Sequence, residues 1–529
     1  MANNKKEQER AELHRTILRI ANDLRGAVDG WDFKQYVLGM LFYRFISENL
    51  TVYINKNEKA SGKVDYDYTV EKDEVAVKGK KILVEEKGFF ILPSELFINV
   101  TKQAKTDANL NMTLEKVFTN IEASALGTAS EKNFKGLFDD LNVNSNKLGA
   151  TVIERNERLV KLLEAIDSLD FGDYNDNTID LFGDAYEYLM TMYAANAGKS
   201  GGEFFTPQEV SELLTNIALI DFNSDDRSSK KSVNKVYDPA AGSGSLLLKF
   251  AKILGKENVR EGFYGQELNL TTYNLARINM FLHDIGFEKF DFALGDTLKN
   301  PMHWNDEPFD AIVSNPPYST KWEGKNNPIL INDTRFSPAG VLAPSSKADL
   351  AFVMHILSWL SNKGTAAIVE FPGVLYRSGA EQKIRKYLVD NNFIDTVIQL
   401  PPDMFFGTTI ATTIIVLRKN KKENSIHFID ANKEFVRYDT KNKLSPEHIT
   451  KILESVRFKK EVIHFSINVP IDKVAKHNYN LSVNTYVEQE DTKEKIDINK
   501  LNKEIDEIVK NIDELRKEID LIVRELGDK

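Results

Sequence analysis

Apolar residues recur every three or four positions in the first third of the chain, which is the period of an amphipathic α-helix. The stretches with this period are residues 13–24, 31–46, 111–123 and 150–169. Between residues 51 and 84 the chain turns polar, and we expect an insertion or a mobile loop there. Residues 1–165 are therefore predicted to form an N-terminal helical domain.

From about residue 179 onwards, short apolar runs rich in Val and Ile alternate with helical segments. The candidate strands are residues 235–237, 262–265, 290–294, 311–314, 365–370, 394–399 and 413–417. This alternation predicts an α/β fold with a mostly parallel sheet that helices cover on both faces. Ligands bind such sheets outside the carboxyl ends of the strands, so we expect the chemistry in the loops that follow them.

The end of the chain repeats apolar residues in steps of three and four without a break. The repeat runs through Ile498, Leu501, Ile505, Ile508, Ile512, Leu515, Ile519, Ile522 and Leu526. This spacing is typical of the a and d positions of a coiled coil, which need a partner helix to cover them. Residues 491–529 are predicted to form a C-terminal coiled-coil helix for subunit assembly. Packing back onto its own chain is the alternative.

Composition and charge exclude several classes of protein. The 529 residues include no cysteine, which rules out disulfides, cysteine-ligated zinc, iron–sulfur clusters and thiol catalysis. A chain without cysteine suits the reducing cytoplasm, and its charged start and lack of long apolar runs predict neither a signal peptide nor a membrane span. The net charge of −10 argues against a chain that binds nucleic acid unaided.

A glycine-rich turn, Asp-Pro-Ala-Ala-Gly-Ser-Gly at residues 238–244, lies between a predicted strand and a predicted helix. Such a turn lets the backbone approach a ligand and presents the free N–H groups of a helix start. Glu267 ends the next strand, where a carboxylate can accept hydrogen bonds from both ribose hydroxyls of a nucleoside. Asp296 ends a third strand and could accept from an adenine amino group. Together Asp238, Glu267 and Asp296 predict an adenosyl cofactor, although each alone is more often a helix cap.

The sequence Asn315-Pro316-Pro317-Tyr318 directly follows another predicted strand. An adenine amino group is a poor nucleophile because its lone pair is delocalised into the ring. The Asn315 side-chain oxygen and the Pro316 carbonyl could accept its two hydrogens and draw the nitrogen toward a tetrahedral geometry. The prolines stiffen the loop, and Tyr318 could stack on a base rotated out of the duplex. A proline-rich turn with an aromatic plug is the alternative.

In this order and spacing, the motifs resemble those of amino-directed DNA methyltransferases that use S-adenosylmethionine, and Asn at position 315 is the adenine-specific pattern. Residues 201–209, Gly-Gly-Glu-Phe-Phe-Thr-Pro-Gln-Glu, are similar to the additional cofactor motif of that family. They also read as a helix start with Thr206 as N-cap, Pro207 in the first turn and Glu209 closing a capping box. The resemblance implies a metal-free site whose catalytic residues are Asn315, Pro316, Pro317 and Tyr318. The cofactor residues that it implies are Phe205, Thr206, Asp238, Ala240, Gly242, Ser243, Gly244, Glu267 and Asp296.

A narrower resemblance covers about residues 10–490, including Tyr479-Asn480-Leu481. Over this range the chain resembles the modification subunit of type I restriction-modification systems. The resemblance implies a Rossmann-like catalytic domain at residues 166–490 that methylates N6 of adenine in double-stranded DNA in the cytoplasm. It also implies a separate DNA specificity subunit bound by two modification subunits, and a restriction subunit in the full complex. The stretch between Leu417 and residue 491 is short for a target-recognition domain, which agrees with recognition by a partner.

Two other functions remain open: methylation of a protein glutamine, since the same tetrapeptide suits an amide nitrogen, and a non-catalytic assembly scaffold. The heptad tail and the helical domain disfavour the first, and the intact motifs disfavour the second. Two basic groups are candidates for contact with DNA phosphates, with a solvated surface as the alternative. They are Lys321, Lys325 and Lys347, and Arg418, Lys419, Lys421 and Lys422.

Overall fold

The computed structural model describes residues 32–169, 206–405, 408–438, 441–489 and 498–527, with the single positions Arg15 and Tyr188. The chain divides into two compact units, Met1–Val487 and Glu488–Lys529. No helix in the described ranges combines the length and the apolar character that a membrane crossing needs. The helix predicted at residues 13–24 and the cofactor residue Phe205 lie outside the described residues.

Helices form the N-terminal part of the first unit, as predicted. They are α1 (Asp32–Ala60), α2 (Asp73–Ala76), α3 (Lys80–Lys87), α4 (Phe97–Gln103), α5 (Leu110–Ser124), α6 (Glu131–Phe134) and α7 (Val152–Asp167). Helix α7 begins with a capping box, in which the Thr151 hydroxyl accepts the Glu154 N–H at 3.2 Å and the Glu154 carboxylate accepts the Thr151 N–H at 3.3 Å. These bonds satisfy N–H groups that have no partner inside the helix.

The prediction of a mobile loop at residues 51–84 is wrong, and the alternative, an insertion, stays a prediction. Helix α1 continues to Ala60, and the short helices α2 and α3 follow it. Tyr68 is 1% exposed, and its hydroxyl donates to the Ile91 carbonyl at 2.7 Å. The apolar residues of this segment are too few and too widely spaced to show a period, so only their burial reveals that the segment is packed.

A nine-stranded sheet forms the rest of the first unit, and the predicted strands are all present. The strands of this sheet are β1 (Val233–Asp238), β2 (Val259–Glu267), β3 (Phe290–Leu294), β4 (Phe309–Ser314), β5 (Leu360–Glu370), β6 (Ile394–Gln399), β7 (Thr413–Leu417), β8 (Ser425–Asp430) and β11 (Ser466–Pro470). Two further strands, β9 (Val436–Tyr438) and β10 (Lys441–Lys443), lie between β8 and β11 in the chain and form a separate hairpin. The strand order is β11-β8-β6-β7-β5-β4-β1-β2-β3. The sheet is parallel except that β7 runs against both of its neighbours and β11 runs against β8.

Helices cover both faces of the sheet. They are α8 (Gln208–Ala218), α9 (Ser245–Leu254), α10 (Leu270–Leu282), α11 (Asp349–Trp359), α12 (Ala380–Asp390), α13 (Pro446–Phe458) and α14 (Ile471–Lys476). Side chains alternate along a strand, so Ala311 and Val313 of β4 join one apolar core while Ile312 joins the other. The register shifts between Phe309 and Ala311, and Phe309 lies in the same core as Ile312. The first core also contains α1, so the helical region and the sheet share one compact unit. A domain boundary near residue 165 stays a prediction.

The strand order reverses between β1 and β4. From β1 the chain proceeds through β2 to β3 on one side, and it then returns to place β4 on the other side of β1. The loops that leave β1 and β4 must therefore diverge, which opens a crevice at the carboxyl ends of the two strands. Asp238 ends β1, and Asn315 follows β4 directly, so both predicted motifs lie at this reversal point.

The stretch after Leu417 completes the sheet with β8 and β11 and adds α13 and α14. Two of the basic residues expected to face DNA lie inside this region. Arg418 donates to the Asp395 carboxylate at 2.9 Å, and Lys421 donates to the Ile394 carbonyl at 2.7 Å. Burial raises the pKa of Asp395, but the charges of Lys459, Arg418 and Lys421 outweigh it and hold that pKa below its ordinary value. Arg418 and Lys421 are therefore part of a buried ion cluster, and their predicted role is wrong.

The second unit contains the helix α15 (Ile498–Gly527), and the helix predicted for the tail is confirmed. The a and d side chains of the heptad repeat are all exposed, from 43% at Ile512 to 71% at Leu526.

We expect Tyr68→Phe to lower the free energy of unfolding by about 1–3 kcal/mol, because it leaves the buried Ile91 carbonyl without its donor. Urea unfolding checks this. Val70→Ala is the matched control in the same segment, because Val70 is 78% exposed and its loss should change stability by less than about 0.5 kcal/mol. Equal effects of the two substitutions would show that the segment is not packed as described.

Candidate active site

The glycine-rich turn after β1 depends on glycine at two positions. Gly242 and Gly244 have φ angles of +54° and +75°, in the left-handed region that other residues avoid. A Cβ atom on Gly244 would lie 3.3 Å from the side chains of Met280 and Phe292, so the turn also lacks room for one. Helix α9 starts directly after Gly244 and leaves its first N–H groups available at the crevice.

Asp238 joins this turn to the catalytic strand. It is fully buried, and its Oδ1 accepts the Ser314 hydroxyl at 2.7 Å and the Ala240 N–H at 3.0 Å. Burial raises the pKa of Asp238 to about 7, helped by the charge of Glu267 and opposed by those two hydrogen bonds. Its Oδ2 has no donor among the described residues. A bound donor or cation would satisfy that oxygen, since unpaired buried oxygens are costly.

Glu267 is held by backbone on both sides. Its Oε2 accepts the Gly242 N–H and its Oε1 accepts the Asn269 N–H, each at 2.9 Å. Burial raises the pKa of this carboxyl. Each oxygen keeps a further lone pair, so the carboxylate can still accept hydroxyl groups of a ligand.

Asp296 caps no helix, and its side chain instead closes the turn after β3. Its Oδ1 accepts the N–H groups of Leu298 and Lys299 at 2.9 and 3.2 Å. Two residues that sequence reasoning missed stabilise the backbone of the glycine-rich turn at residues 238–244. The Asn279 side chain donates to the Ser243 carbonyl at 3.0 Å, and the Thr297 hydroxyl donates to the Pro239 carbonyl at 2.6 Å.

The side-chain amide of Asn315 is oriented by two contacts. Its Nδ2 donates to the Thr206 hydroxyl at 3.1 Å, and its Oδ1 accepts the Tyr318 hydroxyl at 2.5 Å. The Tyr318 ring packs on Phe371 with its centroid 5.3 Å away. Burial, followed by the charges of Glu370 and Asp349, raises the pKa of Tyr318 well above its ordinary value, so its hydroxyl remains a donor.

The helix start predicted at Thr206 is wrong. Helix α8 begins at Gln208, Pro207 is the residue before it, and no side chain caps its first turn. Pro207 is extended, with φ −52° and ψ 139°, which moves the helix start by one residue. The Thr206 hydroxyl is thereby released from capping and holds Asn315 instead. This contact brings the upstream segment and the catalytic loop together across 109 residues of sequence.

Ser314, Asp349 and Glu370 also contact or surround the catalytic loop, and sequence reasoning missed all three. Of the three, only Glu370 could have been identified from the sequence, because it is the single charged residue at the end of the apolar run Ala-Ala-Ile-Val-Glu. A charge placed there, at the carboxyl end of a buried strand, is unusual enough to flag.

Comparison with known proteins agrees with this geometry. Residues 177–495 match the family model described as N-6 DNA Methylase, and residues 13–166 match the model described as HsdM N-terminal domain. The chain is 50% identical over 519 residues to the type I restriction enzyme MpnII methylase subunit of Mycoplasma pneumoniae, covering 95% of this chain and 94% of that protein.

Solved structures show the same fold. The crystal structure of a type I restriction-modification methyltransferase subunit from Streptococcus thermophilus superposes with a TM-score of 0.81 at 33% identity, covering 90% of this chain and all of that one. A structure from work on complex assembly and conformational transition of the type I R-M system has a TM-score of 0.63 at 18% identity, over 97% of this chain and 99% of that one, and shows the fold alone.

The chain therefore belongs to the N-6 DNA methylases, a family of Rossmann-like enzymes that use S-adenosylmethionine. Within that family it is a methylase subunit of the type I restriction enzymes. It transfers a methyl group from S-adenosylmethionine to N6 of adenine in DNA. The comparisons support neither glutamine methylation nor a non-catalytic scaffold.

We expect Thr206→Val to lower the methylation rate about tenfold, since the loss of one hydrogen bond frees the Asn315 amide to rotate. Thr206→Ser keeps the hydroxyl and should stay within about twofold of the unchanged protein. Single-turnover methylation by the assembled complex checks this. A Val variant as active as the Ser variant would show that the contact does not orient Asn315.

Proposed function

We propose that the cofactor lies in the crevice between β1 and β4, held by the turn at residues 238–244, by Glu267 and by Asp296. The described residues fit it. The unpaired Oδ2 of Asp238 and the lone pairs of Glu267 offer acceptors to a ligand rich in donors. Gly242 and Gly244 supply the left-handed backbone that the turn needs. S-adenosylmethionine, when bound, supplies a methyl group on a positively charged sulfur. Phe205 and Thr206 are assigned to the methionine side on the family resemblance alone.

Asn315 and the Pro316 carbonyl are proposed to accept the two amino hydrogens of the target adenine. The observation that carries this proposal is the orientation of Asn315, whose Nδ2 is bound to Thr206 so that its Oδ1 is left to accept. Tyr318 donates to that same oxygen, so an incoming amino group has to share it or displace the tyrosine hydroxyl. Pro317 stiffens the loop, and stacking of Tyr318 on a base flipped from the duplex stays a prediction.

Asn315→Ala in the assembled complex is the test of this assignment. We expect methylation to fall at least a hundredfold, because an acceptor aimed at the reacting nitrogen is lost. The affinity for S-adenosylmethionine should change less than twofold, whereas Asp238→Ala should weaken it about tenfold. Asn326→Ala is the control, an exposed asparagine with no part in the site. Retained methylation in Asn315→Ala would refute the catalytic role.

The partner that supplies sequence recognition is proposed to be a specificity subunit, with two modification subunits bound to each and a restriction subunit in the full complex. The family resemblance supports this arrangement. The absence of cysteine supports a cytoplasmic complex. We propose that α15 is the docking element, separate from a helical domain at residues 1–165 and a catalytic domain at residues 166–490. Its a and d residues form a continuous exposed apolar face. An isolated helix with such a face gains most of its stability from a partner.

The double substitution Ile512→Asp and Leu515→Asp should abolish co-purification with the specificity subunit, as should deletion of residues 495–529. Charges in the centre of a helical seam cannot be solvated once the partner covers them. Lys510→Asp with Lys517→Asp is the matched control, since these positions lie on the opposite side of the heptad. Cofactor affinity should be unchanged in every variant. A truncated chain that still binds its partner at full stoichiometry would refute the docking role.

A further inference from the structure

Two buried carboxyl groups lie beneath the catalytic loop, and the proposed reaction uses neither. Asp349 is the first residue of α11 and is 1% exposed, and Glu370 is the last residue of β5 and is fully buried. Strand β5 runs parallel to β4 with Ile368 paired to Ser314. Glu370 therefore stands two residues further along, level with the start of the Asn-Pro-Pro-Tyr loop.

Asp349 is tied to that loop by a backbone contact. Its Oδ1 accepts the N–H of Ser319 at 3.0 Å. Ser319 directly follows Tyr318 and has a φ of +51°, a conformation that a serine adopts only when its surroundings hold it there. The Asp349 carboxylate therefore helps to fix the end of the catalytic loop.

Both carboxyls are incompletely paired. Oδ2 of Asp349 and both oxygens of Glu370 have no hydrogen-bond partner among the described residues, although the Phe371 N–H lies close enough to Glu370 to favour its ionised form slightly. A single proton held between the two carboxyls would satisfy the unpaired oxygens of both.

The charges around Glu370 favour that proton. The groups that act on it are Asp349 on α11, Glu381 on α12 and Arg377 in the connection before α12, while Tyr318 faces both carboxyls from the loop. Arg377 bonds to Glu381 at 3.1 Å, so its charge is largely used there. Burial first, and then the negative charge of Asp349, raises the pKa of Glu370 well above its ordinary value. Two buried carboxylates that act on each other repel, and Arg377 offsets this only in part because it is paired with Glu381.

We propose that Glu370 and Asp349 share one proton, that Glu370 donates it to Asp349, and that this pair positions the Tyr318–Ser319 end of the catalytic loop. Both are positioning residues, because they act through Ser319 and Tyr318 rather than on the substrate. Their effect on methylation rests on the proposed function of that loop, whereas the proton itself does not.

The pH dependence of stability tests the proton without any methylation assay. A carboxyl whose pKa is raised by folding stabilises the folded state only below its unfolded pKa of about 4.3, and that stability is lost as the pH rises toward the folded value. The glutamine side chain of Glu370→Gln is uncharged at every pH, and its amide N–H is always available as a hydrogen-bond donor. The Tm of this variant should therefore equal that of the unchanged protein near pH 4 and exceed it by about 2 °C or more at pH 8.

Two further variants show whether the change in Tm comes from the pair Glu370 and Asp349. In an Asp349→Asn background the advantage of Glu370→Gln should shrink, because the like charge that it relieves is gone. Glu434→Gln is the matched control, a carboxylate paired with Lys451 at 2.5 Å, and it should gain no stability at pH 8. A loss of stability in Glu370→Gln at pH 8 would show that Glu370 is ionised and would overturn the proposal.

Methylation by the assembled complex tests the positioning role. Glu370→Gln should stay within about twofold of the unchanged kcat at pH 7.5, whereas Glu370→Leu, which cannot donate, should lose about tenfold in kcat with unchanged affinity for S-adenosylmethionine. A Leu variant as active as the Gln variant would overturn the positioning role. If the unchanged complex methylates no adenine, the proposed function fails, and the Tm series still decides whether the proton is shared.

Discussion

The hydrogen bond from the Ser314 hydroxyl to the Asp238 carboxylate joins the two strand ends on which the active site is built. Both side chains are fully buried, where a hydrogen bond to a carboxylate is stronger than in water because the surroundings do not screen it. The bond spans the point where the strand order reverses, so the glycine-rich turn after β1 and the Asn-Pro-Pro-Tyr loop after β4 are held at a set separation. The proposed site is therefore set before any ligand binds.

The catalytic loop is stabilised from several directions by residues outside it. Thr206 holds the Asn315 amide from the start of α8, Asp349 holds the Ser319 N–H from the start of α11, and Phe371 packs on Tyr318 after β5. Each contact comes from a different element, so the loop geometry is set by the way the helices pack on the sheet. A loop fixed in this way needs little reorganisation when the substrate arrives, which is the main source of electrostatic rate enhancement.

Several cations of this chain are buried and serve folding. The Arg277 guanidinium is 1% exposed, bonds to the carbonyls of Lys132 and Lys135 at 3.1 and 3.0 Å, and lies 4.2 Å from the Tyr273 ring. It thereby ties the N-terminal helical region to α10. Arg418 and Lys459 are likewise taken up by Asp395. With these cations inside, a net charge of −10 agrees with a catalytic subunit whose hold on DNA is supplied largely by its partner.

The sequence by itself determined the element types, the chemistry and their order. Val- and Ile-rich runs between helical stretches predict a parallel sheet. Asp238, Glu267 and Asn315 at strand ends carry the resemblance to adenine-specific DNA methyltransferases, because strand ends, glycine turns and the proline loop are local patterns. Tertiary structure alone decided how residues distant in the chain act on one another. Thr206 reaches Asn315 rather than its own helix. Tyr68 packs a segment whose sequence pattern predicts a loop, and Asp349 accepts the Ser319 N–H at the end of the Asn-Pro-Pro-Tyr loop. None of these contacts leaves a period or a motif, because burial and the pairing of polar atoms arise only when separate elements come together.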